Sequence, residues 1–185
     1  MITVKINGEE RQYPQGATYE DVANDYQQEY ENLIALAARD GKIRELFKKL
    51  TRDCEITFFT LKDDVGNKTY VRSATMLFLK AVFDVFGRET VQNCRVEFAI
   101  GNGSYISPKG KINATEENAA KIRNRMRELV EAKTPFLKKS YSLDNAMELF
   151  RREGMKDKEK LFRYRRGSFV NIYEMDGYYD YYYGY

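Results

Sequence analysis

The chain contains no histidine, so acid–base or nucleophilic chemistry would fall to lysine, tyrosine, the carboxylates or two cysteines. A serine nucleophile would need a lysine as its base, and no spacing selects a Ser–Lys pair. The cysteines, Cys54 and Cys94, lack a Cys-x-x-Cys partner, which argues against both a zinc site and a disulfide framework. They read as free thiols of a cytosolic protein. Paired carboxylates occur at Asp63-Asp64 and Glu116-Glu117, the first in a polar linker and the second in the first turn of a helix. Solvation and the helix dipole account for both. Gly101-Asn102-Gly103-Ser104 and Pro108-Lys109-Gly110-Lys111 suggest a phosphate loop, but Ile112 stands where a magnesium-binding hydroxyl is needed and Tyr105 where the first glycine is needed. Hairpin turns explain these glycines better.

The last aromatic run, Tyr178-Tyr179-Asp180-Tyr181-Tyr182-Tyr183-Gly184-Tyr185, has two readings. Strand alternation would place Tyr179, Tyr181 and Tyr183 on one face and Tyr178 and Tyr182 on the other. Such faces can stack nucleobases or simply pack a sheet. Arg163, Arg165 and Arg166 lie just upstream and would suit an anionic ligand. Charge is uneven along the chain: residues 1–62 hold 9 Lys/Arg against 11 Asp/Glu, and the excess of base lies beyond them. That bias is compatible with nucleic acid but is no stronger than a solvated surface commonly carries. The charged fraction of 32% and mean hydropathy of −0.66 suggest a soluble protein. No apolar run approaches the roughly 18 residues that span a bilayer.

Periodicity and turn signals give the secondary structure that carries these residues. Ile2, Val4 and Ile6 alternate as a strand, Asn7-Gly8 is a hairpin turn, and Glu10–Tyr13 returns. Thr18 caps a helix through Tyr26. Leu33–Ala38, Asp40-Gly41 and Lys42–Leu46 make a second hairpin, and Cys54–Leu61 is a further strand. This order suggests a β-grasp sheet around one helix over residues 1–62. The polar segment 63–67 reads as the domain boundary, with an α+β domain over 63–185. That domain opens with an apolar helix, Ser73–Phe86. It continues through a Val96–Ile100/Ser104–Ile106 hairpin, a helix capped by Thr115, another capped by Ser142 and ended at Gly154, and a strand-like stretch from Phe162 to Tyr185. The fold class is α+β.

Several blocks, in order, resemble the N-terminal half of threonyl-tRNA synthetases. Ile34–Gly41 and Asp53–Ile56 resemble the TGS domain of that family. Arg72-Ser73-Ala74-Thr75-Met76-Leu77 stands at the editing domain's His-Ser-x-x-His-x motif. Glu97–Tyr105 is similar to its Gly/Asn-Gly-Tyr hairpin, Ala146–Gly154 to its Ala-x-x-x-Phe-x-x-x-Gly block, and Asp180–Gly184 to its Asp-x-Cys-Arg-Gly segment. The resemblance implies that Lys158 and Asp180 keep the family's lysine and aspartate, whereas Arg72 and Met76 replace both histidines and Tyr182 the cysteine. It therefore implies a degenerate editing pocket, with Arg72, Ser73, Met76, Lys80, Tyr105, Lys158, Asp180 and Tyr182 as candidate ligand residues and no catalytic or metal-binding role. This altered version, with its Tyr-Tyr-Gly-Tyr ending, also resembles the region preceding the kinase domain of bacterial uridine (nucleoside) kinases. That implies a cytoplasmic accessory region, with its own kinase domain as partner and with ATP and magnesium needed only there. A nucleotide or RNA is the expected ligand of the region itself, and no membrane is involved. The alternative is an RNA- or tRNA-binding module, or a residual aminoacyl-tRNA deacylase.

Overall fold

A computed structural model describes residues 1–185 except 102, 110, 111 and 185. The expected turn at Asn102, the Gly110-Lys111 pair and Tyr185 lie outside the described residues. The chain divides into two compact units, Met1–Ser73 with Tyr183 and Gly184, and Ala74–Tyr182.

The first unit is a mixed five-stranded sheet with the order β2-β1-β5-β3-β4. Strands β1 (Ile2–Ile6), β2 (Glu9–Tyr13), β3 (Ile34–Arg39), β4 (Lys42–Glu45) and β5 (Cys54–Thr60) are antiparallel neighbours, except that β1 runs parallel to β5. The hairpins turn at Asn7-Gly8 and Asp40-Gly41, all four residues having positive φ as tight primed turns require. Helix α1 (Tyr19–Tyr26) is held by a capping box. The Thr18 hydroxyl accepts from the Asp21 N–H, and the Asp21 carboxylate accepts from the Thr18 N–H. Tyr19, Val22, Ala23 and Tyr26 on this helix pack with Ile2, Val4, Ile6, Leu50 and Phe58 in one core.

The segment 63–67 is not the polar turn expected from its composition. Helix α2 starts at Asp64 and runs to Phe86, and the division between the compact units falls within it, after Ser73. Asp63 stabilises the start: its carboxylate accepts from the Thr60 N–H and hydroxyl, and its carbonyl accepts from the Asn67 N–H. Gly66 is required by proximity and not by a turn. A Cβ there would lie 2.1 Å from the Thr60 carbonyl oxygen.

The second unit is built on an antiparallel sheet, β10-β9-β8. After α2 come α3 (Arg88–Asn93), the two-stranded β6 (Arg95–Ile100)/β7 (Gly103–Ser107), α4 (Glu116–Glu131), β8 (Leu137–Ser142), α5 (Leu143–Arg152) and α6 (Lys156–Arg163). Strands β9 (Phe169–Met175) and β10 (Tyr178–Asp180) follow, joined by another positive-φ turn at Asp176-Gly177. Thr115 and Ser142 cap α4 and α5 as their sequence positions require.

Period-2 alternation divides the side chains of this sheet between two cores. Tyr173, Met175, Tyr178 and Tyr182 pack with α2 and α4, through Met76, Leu79, Val82, Ile122 and Leu129. Val170, Ile172, Tyr179 and Tyr181 pack with α5 and α6, through Ala146, Leu149, Phe150 and Phe162. The tyrosine run therefore does alternate, but Tyr183 is exposed, and Phe162 belongs to helix α6, which the sequence reading missed. No helix among the described residues is long and apolar enough to cross a membrane.

Candidate functional site

Lys158 and Asp180 are brought together from separate elements. Lys158 lies in the first turn of α6, whose buried Phe162 anchors that helix on Phe150 and Tyr181. Asp180 ends β10. The Lys158 Nζ stands 2.9 Å from the Asp180 Oδ1. The same oxygen accepts from the Tyr181 N–H at 2.7 Å, and Oδ2 accepts from the Tyr178 hydroxyl at 3.3 Å. Asp180 is only 2% exposed. A carboxylate this deep would be costly without charge and hydrogen-bond compensation, and here three donors supply it.

The neighbouring tyrosines are tuned by the same burial. Desolvation first, and the negative charge of Asp180 second, push the Tyr178 and Tyr182 hydroxyls well above the ordinary tyrosine range. Both stay protonated at neutral pH. The Tyr182 hydroxyl is itself buried beside the Asp180 carboxylate, and its ring lies edge-on to Tyr173 at 6.0 Å.

The other candidate residues divide differently. Met76 is fully buried in the core that also contains Tyr178 and packs Tyr182. Lys80, on the same helix, is fully buried as well. Its ammonium lies 2.8 Å from Asp84 Oδ1, 2.6 Å from the Asp176 carbonyl and 3.2 Å from Asp176 Oδ2. Asp84 in turn receives Arg125, 2.8 Å away. Lys80 thus ties α2 to the β9–β10 turn. Its i,i+4 acid, Asp84, was the signal available in the sequence. Tyr105 is exposed on β7 and stacks on Phe98 across the hairpin at 5.2 Å. Arg72 and Ser73 belong to the first unit. The Ser73 hydroxyl donates to the Thr69 carbonyl one turn back, and the Arg72 guanidinium lies 3.1–3.2 Å from where a Cβ on Gly184 would sit.

Sequence reasoning singled out Arg163, Arg165 and Arg166 but not the exposed aromatics around them. Tyr164 and Phe169 are both solvent-facing. The signal was their interleaving with base in Arg163-Tyr164-Arg165-Arg166, which the expectation of a strand obscured.

No family model matches the chain. It is 27% identical over 182 residues to the threonine–tRNA ligase of Thermotoga petrophila, covering 92% of this chain and 28% of the ligase. The Thermotoga maritima ligase is 28% identical over the same length, and that of Carboxydothermus hydrogenoformans 26% identical over 183 residues. The chain spans a little over a quarter of the length of these curated relatives. Its similarity runs across both compact units, and it is to a region of threonine–tRNA ligases that this chain is homologous.

Proposed function

We propose that this chain is an RNA-associated module built on a threonyl-tRNA synthetase scaffold, with a former hydrolytic pocket kept as structure and not as chemistry. The first unit is read as a TGS-type β-grasp, and the second as an editing-type domain. The observation that carries the reading is the state of Asp180. Its oxygens are engaged by Lys158, the Tyr181 amide and the Tyr178 hydroxyl, so the carboxylate is committed to structural contacts. Met76 brings no proton acceptor, and Tyr182 remains a protonated phenol. General-base activation of water needs a group able to take a proton near neutral pH, and neither the Met76 thioether nor the protonated Tyr182 phenol is one.

Homology to ligases of tRNA supports RNA as the associated ligand. The test is binding of the whole chain to a tRNA transcript across a salt titration. Log affinity should fall linearly with log salt as phosphate contacts release counterions. Absent binding, or binding insensitive to salt, contradicts the reading.

A second reading makes the module the accessory region of a nucleoside kinase. It rests only on the resemblance of the altered positions Arg72, Met76 and Tyr182 and of the tyrosine-rich segment to the region preceding such kinase domains. ATP and magnesium would then belong to a kinase domain elsewhere in the protein. The genomic reading frame beyond Tyr185 decides it: a Gly-x-x-x-x-Gly-Lys-Ser/Thr motif there supports the kinase, and its absence removes that reading.

A further inference from the structure

We infer that the corner joining α6 to β9, residues 160–169, is a single-stranded RNA contact surface separate from the Lys158–Asp180 cluster. The inference rests on the RNA-associated reading above and names the surface and the class of RNA. Tyr164 is 87% exposed and Phe169 67%, with Leu161 also solvent-facing. Large aromatic rings left in water within a few residues of one another mark an interaction site more often than isolated surface apolars do.

The charge carried by residues 160–169 themselves has one sign. Lys160, Arg163, Arg165 and Arg166 fall in this stretch, and no acidic residue occurs from 160 to 173. Arg163 is neutralised by Glu159 at 3.0 Å. Lys160 and Arg166 are exposed and have no acidic partner among the described residues. A polyanion with stackable faces matches both properties, whereas an apolar protein surface would leave the cations unpaired.

The corner is also held in place. Phe162 is fully buried against Phe150, and Tyr181 meets it edge-on at 5.0 Å. The Tyr181 ring carries the Arg165 guanidinium at 5.3 Å, and its hydroxyl accepts a hydrogen bond from Arg165. The Ser168 carbonyl accepts from the Leu143 N–H, and Phe169 is in register with Ser142 on β8. Arg165 is therefore an orienting group. Tyr164 and Phe169 supply the stacking faces, and Arg166 and Lys160 the phosphate contacts. Unpaired bases are required, because a ring can stack only on a base face that is not already covered in a duplex.

The test is fluorescence anisotropy on the whole chain with a labelled single-stranded RNA and a blunt RNA duplex of matched length. Tyr164→Ala/Phe169→Ala should weaken single-strand binding by about ten- to hundredfold. Arg166→Ala should lower the salt slope, and circular dichroism should show every variant folded. Both rings are exposed, so their loss leaves the core intact. Single-strand affinity unchanged in the double variant overturns this surface while leaving the RNA reading standing. A loss of equal size on the duplex overturns the stacking assignment. No binding of either RNA by the unaltered chain overturns both.

Discussion

Lys158 and Asp180 form a 2.9 Å ion pair in which the acid is the deeper partner, its side chain 3% exposed against 23% for the lysine. The asymmetry decides which deletion matters more. Removing Lys158 leaves a buried carboxylate with only dipolar donors. Neutralising Asp180 leaves an ammonium that can still reach water. Lys158→Ala is therefore expected to cost about 3 kcal/mol of folding stability, and Asp180→Asn clearly less. Urea denaturation of the two variants and of their combination checks this, and the double variant should recover part of the Lys158→Ala loss.

Lys80 is expected to act through stability alone. Lys80→Ala leaves Asp84 and the Asp176 carbonyl without their buried donor and should cost about 3 kcal/mol. Lys80→Met, which keeps the aliphatic stem, should cost less. RNA affinity should be unchanged in Lys80→Met. A folded Lys80→Met protein with lost affinity would return Lys80 to the list of ligand residues.

Gly66 should tolerate no side chain. With a Cβ 2.1 Å from the Thr60 oxygen, Gly66→Ala must push α2 away from the end of β5. The expected cost is about 3 kcal/mol, as for overpacked interiors. A thermal melt that places Gly66→Ala within a degree of the unaltered chain contradicts the close approach.

Alkaline pH should expose the buried phenols. Burial, reinforced by the Asp25 carboxylate to which its hydroxyl donates at 3.0 Å, raises the Tyr13 pKa from the ordinary 10.0 to about 12. The folded value lies above the unfolded one, so the contribution is complete below about pH 10 and is lost as pH rises towards 12. In that window the unfolded chain releases a proton that the folded chain keeps, and stability falls with pH. Tyr13→Phe removes this linkage and should flatten the decline. A stability that stays level from pH 9 to 11 in the unaltered chain is the contrary outcome.

Much of the first unit is legible from local signals. Asn7-Gly8 and Asp40-Gly41 are turn sequences whose backbone demands no other residue meets as easily, and Thr18 with Asp21 writes a capping box. Elements that depend on tertiary contact were less visible. Asp63 to Asn67 has the composition of a turn, yet Thr60 donors and a Gly66 contact fold it into α2. Strand β8, Leu137-Lys138-Lys139-Ser140-Tyr141-Ser142, lacks apolar alternation because it is an edge strand whose Lys139 pairs with Glu174 and whose Lys138 lies over the Tyr173 ring. Helix α6 has few apolar positions, Phe162 being its one fully buried side chain, so its period was faint. At the site, resemblance named Lys158 and Asp180 separately as pocket residues, but their ion pair and the burial of Lys80 need the fold to be seen.

On the proposed reading the Lys158–Asp180 cluster holds the fold and turns over no substrate. Hydrolysis of a mischarged aminoacyl-tRNA by the intact chain, run beside Asp180→Asn as a folded control, tests this. Release at the spontaneous rate for both proteins is the predicted result. A rate above that background, abolished in Asp180→Asn, would contradict it.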